Sequence, residues 1–137
     1  MQNVVDFAPS RATKWNWNTI FFVATFHVAA IGAFFTFSWA NLAAAFIVWW
    51  FANSWAVGIG YHRLLSHRGF TTSKWMVRFL STLATLGLQS GPISWTTTHR
   101  LHHAFTDQER DPHSPRKGVW WSHMGWIIFG TGMHHDA

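Results

Sequence analysis

Five of the ten histidines fall in two short clusters, His62-Arg63-Leu64-Leu65-Ser66-His67 and His99-Arg100-Leu101-His102-His103. In the second cluster the imidazoles stand at i, i+3 and i+4. On an α-helix those positions lie within about 100° of one another, so all three rings leave one face. A transition metal is the first explanation for converging imidazoles, because neutral imidazole is the commonest protein ligand for it. A lone histidine on an apolar face is usually a packed, hydrogen-bonded residue, but three within five positions beside a second spaced pair favour metal binding. The first pair is spaced i, i+5, which is about 140° on a regular helix. Both members reach one site only if the helix ends between them, and Gly69 just beyond fits such an end.

The elements around these clusters must deliver them to one place. Residues 1–16 are polar, carry Arg11 and Lys14, and show no secretory signal pattern. Residues 17–37 and 42–61 are two uncharged apolar runs of about 20 residues, the length that crosses a bilayer core of ~30 Å. His27 is the polar outlier of the first run and is expected to bond to a neighbouring helix. Trp15, Trp17 and Trp39 sit at the ends of the runs, where amphipathic rings favour the membrane interface. Cations flank the pair of runs (Arg11 and Lys14 before, Arg63, Arg68 and Lys74 after), and the short link has none. The positive-inside rule then puts both ends in the cytoplasm.

Residues 75–93 tempt as a third span, but Arg78, Ser81, Thr82, Thr85 and Gln89 interrupt an apolar pattern at helical spacing. This predicts an amphipathic helix lying in the interface. A shared metal site also requires both clusters on one side of the membrane. Gly91-Pro92 breaks that helix, and 93–105 resumes as the helix of the second cluster. Residues 106–117 form a loop, and 119–129 are a short Trp-rich interfacial segment. The expected fold class is thus all-α integral membrane. It comprises a two-span helical hairpin, interfacial amphipathic helices and a cytoplasmic helix bearing the second cluster, with 62–137 as the metal-binding part.

Composition agrees. Hydrophobic residues make up 49% and charged residues 11%, less than half of the soluble average of about 25%. The net charge of +5 borders apolar segments and suits anionic headgroups rather than nucleic acid. The absence of cysteine excludes disulfides and thiolate ligands. No carboxylate has helical ligand spacing with the clusters, which weakens a carboxylate-bridged di-iron reading.

The runs HRLLSHRGF and HRLHHAFTDQERDPHSP resemble the first two histidine boxes, HxxxxH and HxxHH, of the membrane fatty-acyl desaturases of the stearoyl-CoA Δ9 type. Gly118 and the stretch from Trp120 to Trp126 resemble the family's segment just downstream of the second box. The likeness runs from about Gly58 to Trp126, roughly half of the chain. It implies a non-haem centre of two irons, with His62, His67, His99, His102 and His103 as ligands. The family's third box, HxxHH, lies beyond two further spans. His134-His135 comes too early for it and lacks the third imidazole. The chain is therefore expected to be the N-terminal part of a desaturase domain, inactive alone, its remaining ligands supplied by missing sequence.

The implied reaction inserts a double bond into a long acyl chain with O₂ and electrons from a separate donor, such as cytochrome b5 or ferredoxin. A related membrane hydroxylase, a non-catalytic truncated fragment and haem ligation between helices are the alternatives. Asp111, His113 and His123 are candidate supports for the ligands, and Arg100 is expected to be an ion-pair partner. Trp55, Trp95 and Trp126 are candidates for lining an acyl tunnel. Arg116 and Lys117 could meet an anionic headgroup. Animal members carry an Arg-Lys pair where this chain has Gly130-Thr131, so the substrate stays open among acyl-CoA, acyl-carrier protein and lipid.

Overall fold

A computed structural model of the chain describes residues 15–129, so Arg11, Lys14 and His134-His135 lie outside the described residues. Every regular element among the described residues is helical, and none is a strand. Asn16 opens α1 (Trp17–Ala33), its Oδ1 accepting the Thr19 amide at 3.1 Å. A 3₁₀ turn, Phe34–Thr36, completes a continuous 20-residue helix, Trp17–Thr36. Ser38 caps α2 (Trp39–Trp50), accepting the Asn41 amide at 3.1 Å, as an N-cap serine does. The chain continues without a break into a π-helix, Phe51–Ser66, giving a second apolar helix of 28 residues, Trp39–Ser66. Both are long and apolar enough to cross a membrane. The link is thus only Phe37 and Ser38, and the second helix runs five residues past the expected end at Tyr61, carrying His62 with it.

Beyond Ser66 the chain turns through Arg68, a non-glycine residue at φ 50°. Ser73 caps α3 (Lys74–Ala84), which ends in a 3₁₀ turn, Thr85–Gly87, and two left-handed residues, Leu88 and Ser90. The break therefore comes before Gly91-Pro92. Eleven residues of α3 rise about 16 Å, roughly half of a bilayer core. The second-cluster helix is α4 (Pro92–Phe105), followed by the expected loop with a 3₁₀ turn, Pro115–Lys117. A π-turn, Trp121–Gly125, leads into α5 (Trp126–Ile128).

The chain divides into two compact units, one of residues 26–100 and one of 1–25 with 101–137. In the first, the π-helix packs on α3 through small side chains. Ala52, Ala56, Val57, Tyr61, Leu64, Leu80 and Ala84 are buried. A Cβ on Gly60 would stand 3.0 Å from Leu80 Cβ, so only glycine allows the two helices to come this close. The Tyr61 hydroxyl donates to the Ser81 carbonyl at 3.3 Å, satisfying its one polar atom. In the second unit, the Asn16 amide donates to the Ile128 carbonyl at 2.8 Å, and Trp15 packs on Phe129 with ring centroids 4.7 Å apart. These contacts tie the start of α1 to the end of α5.

Candidate metal centre

The π-winding resolves the i, i+5 problem of the first cluster. In a π-helix each amide reaches the carbonyl five residues back, so residues i and i+5 lie about one turn apart on the same face. The His67 amide donates to the His62 carbonyl at 3.0 Å. The two rings consequently share a face, with Nε2 atoms 3.2 Å apart. The helix does end between them, at Ser66 with His67 as its cap residue, and the π-type bond of that last turn is what puts both rings on one face.

From α4, His99 brings its own Nε2 to 3.1 Å from that of His67. Metal–imidazole bonds of about 2.0–2.1 Å place neighbouring ligand nitrogens about 2.9–3.4 Å apart, for angles from octahedral to tetrahedral. Both observed separations fall in that window. Nitrogens this close share either a proton or a cation, and the donor set fits a transition ion that accepts imidazole. His103 stands one turn beyond His99 on α4 and so on the same face.

Trp95 walls this group. Its ring stacks on His99 at 4.8 Å and meets His62 edge-on at 6.3 Å. The indole N–H donates to Gln89 Oε1 at 3.1 Å, and the Gln89 amide donates to Asn53 Oδ1 at 2.8 Å. Gln89 and Asn53 were not distinguishable in sequence from other polar interruptions of apolar helices. Arg100 also departs from expectation. Its Nε donates to the Ser66 carbonyl at 3.0 Å and an Nη to the Leu65 carbonyl at 2.7 Å. It holds a helix end rather than a carboxylate.

The other unit builds a second group around Asp111, which is 0% exposed. His102 Nδ1 donates to this carboxylate, 3.1 Å from each oxygen. The amides of Asp107 and His113 donate to it at 3.0 and 3.1 Å. Burial alone pushes the Asp111 carboxyl up, but these amides and the His102 imidazole outweigh it and hold the group below its usual range. With Nδ1–H committed to Asp111, Nε2 is the nitrogen that His102 could offer to a metal. His113 stacks on His102 at 4.4 Å and packs on Trp126 at 5.2 Å. Burial and the neighbouring His102 push His113 below the ordinary histidine value.

Other expected residues fall elsewhere. His123 is exposed and joins neither histidine group. The Lys117 ammonium is taken up by the carbonyls of Glu109 at 2.8 Å and Asp111 at 3.1 Å, while Arg116 is exposed. Trp55 is 47% exposed and packs on Trp50 and Phe51, 6.2 and 6.0 Å away. The residues of 26–100 also form an open groove of about 520 Å³, lined by Val48, Ala52, Asn53, Leu86 and Leu88 among others. None of Trp55, Trp95 and Trp126 lines it.

Comparison with known proteins matches residues 37–135 to the fatty acid desaturase family model. The chain is 43% identical over 133 residues to an sn-1 stearoyl-lipid 9-desaturase of Anabaena variabilis, covering 95% of this chain and 48% of the relative. It is 40% identical to an sn-2 palmitoyl-lipid 9-desaturase of Nostoc sp., covering 89% and 44%. It is 45% identical to Delta-9 acyl-lipid desaturase 2 of Arabidopsis thaliana, covering 75% and 33%. The chain thus spans less than half the length of these relatives. With histidine clusters, helical scaffold and relatives in agreement, the chain belongs to the fatty acid desaturase family.

Proposed function

We propose that the chain forms the first two histidine boxes of a membrane acyl-lipid desaturase, with His62, His67, His99, His102 and His103 as iron ligands. The observation that carries this reading is the approach of three Nε2 atoms, from two helices, at 3.1 and 3.2 Å. The reaction converts –CH₂–CH₂– to –CH=CH– while O₂, two electrons and two protons become two waters. Non-haem iron with O₂ supplies the oxidant for an unactivated C–H bond, which no side chain can provide. The chain's own residues aim imidazoles, wall the site with Trp95 and hold the Nδ1 proton of His102 on Asp111.

The relatives named stearoyl-lipid and palmitoyl-lipid desaturases favour an acyl chain esterified to a lipid as substrate. Arg116 is the proposed headgroup contact, since Lys117 is engaged by loop carbonyls. A separate ferredoxin or cytochrome b5 type of protein supplies the electrons. Both apolar helices cross the membrane as a hairpin, and α3 and α5 lie in the interface on the cytoplasmic side. Supporting this are Arg63, Arg68 and Lys74 after the second helix, an uncharged link between the helices, and the hydrogen bond tying Asn16 to Ile128.

Iron content tests the reading. The chain purified from membranes should retain iron that His99→Ala loses, with membrane insertion unchanged. Equal iron in both would contradict the ligand assignment. In a desaturase-deficient host, the whole desaturase should restore unsaturated lipids and its His99→Ala variant should not.

A further inference from the structure

The carbonyls in the last turn of a helix have no amide within the helix to receive. Those of Leu65 and Ser66 close the helix that carries His62 and runs directly into His67, and they are taken by one guanidinium, that of Arg100. Arg100 is the immediate neighbour of His99 on α4, and His67 is the immediate neighbour of Ser66. The clamp therefore sits one residue from the contact between His67 and His99 on both elements. We propose that Arg100 is a positioning residue of the metal centre, whose forked contact with two carbonyls sets the register of α4 against the end of the first-box helix.

The reason is geometric. The two donors, at 3.0 and 2.7 Å, fix both the height and the rotation of α4 relative to the helix end. A shift of one residue along α4 turns a side chain by about 100°, which would carry His99 Nε2 away from His67. A guanidinium suits this role because its donors are planar and preset, whereas an ammonium is a point donor on a flexible stem. The positive group also complements the negative end of the helix dipole.

The inference rests on the reading that His62, His67 and His99 share an ion. The test is a Co(II) titration of the purified chain in detergent, followed by the cobalt d–d bands, with helix content checked by circular dichroism. Arg100→Met removes the clamp and also a positive charge close to the ion. If charge alone mattered, Co(II) would bind more tightly. Positioning predicts the opposite sign: affinity at least ~10-fold weaker, in the range seen when outer-shell supports of metal ligands are lost, with d–d bands moved toward a more hydrated ion. Arg100→Lys keeps the charge and can serve one carbonyl, so it should lose less. It also carries the test should the methionine variant not fold.

Unchanged or tighter binding in folded Arg100→Met, or wild-type affinity and bands in Arg100→Lys, overturns the proposal. So does a fall in thermal stability without a change in cobalt affinity. His99→Ala is the control. If it loses Co(II) while Arg100→Met keeps it, the clamp fails and the ligand reading stands. If His99→Ala also keeps Co(II), both fall.

Discussion

In residues 62–99 the aim of each imidazole is set by the backbone. The bond from the His67 amide to the His62 carbonyl closes the last π-turn and sets both rings on one face, and α4 brings His99 to meet them, giving a group of imidazoles alone. In residues 102–113 the aim is set by a side chain. A fully buried carboxylate, itself fixed by two amides, takes the Nδ1 proton of His102. Each region is therefore fragile in its own way. The first depends on helix winding and close packing at Gly60, and the second on one fully buried charge.

The largest effect should come from disrupting the first region at its centre. His67 Nε2 is the atom both other nitrogens approach. His67→Ala should weaken Co(II) or iron binding beyond the ~100-fold that marks the upper end for outer-shell losses, as read by metal titration. Next is Asp111 in the second region. Asp111→Asn keeps the shape but drops the charge, and should cost ~10-fold in metal affinity, while Asp111→Ala should approach ~100-fold. The alanine variant should also lose about 1–3 kcal/mol of stability by stranding the buried amides of Asp107 and His113, measurable by thermal unfolding in detergent. Were Asp111→Ala to match His67→Ala in metal loss, the contrast between the regions would collapse.

A smaller effect probes the same contrast from the packing side. Gly60→Ala sets a methyl 3.0 Å from Leu80 Cβ. It should cost about 1–3 kcal/mol through overpacking and lower metal affinity by displacing His62, while the His102–Asp111 pair is unaffected. A nuclear magnetic resonance shift confined to the His62, His67 and His99 rings would show this. Smallest of all is His123→Ala, which should leave metal affinity within about twofold, since this exposed residue joins neither group.

Legibility in the sequence followed the same divide. The i, i+3, i+4 spacing of the second box needed only the α-helical period, and α4 has the expected extent. For the i, i+5 pair of the first box the required helix end was legible and falls at Ser66, but the π-winding before it was not, because no residue between 51 and 66 announces it. Asp111 was a candidate support for a ligand in the sequence, but its full burial and its pairing with His102 were not, because sequence position conveys neither. The roles of Arg100, Gln89 and Asn53 arise from contacts across 34 to 36 residues of chain, as in the bond from Gln89 to Asn53. Local pattern carries no trace of such contacts. The apolar runs gave two membrane-length helices, but the helix boundary at Ser66 rather than Tyr61 depended on that same winding.

Everything proposed for the centre depends on His62, His67 and His99 binding one ion. X-ray absorption at the iron edge, on the iron-loaded chain, reads this through the outer-shell scattering unique to imidazole rings. Strong imidazole scattering that diminishes in His67→Ala is the expected result. An iron spectrum without imidazole scattering, or one that His67→Ala leaves unchanged, would contradict it.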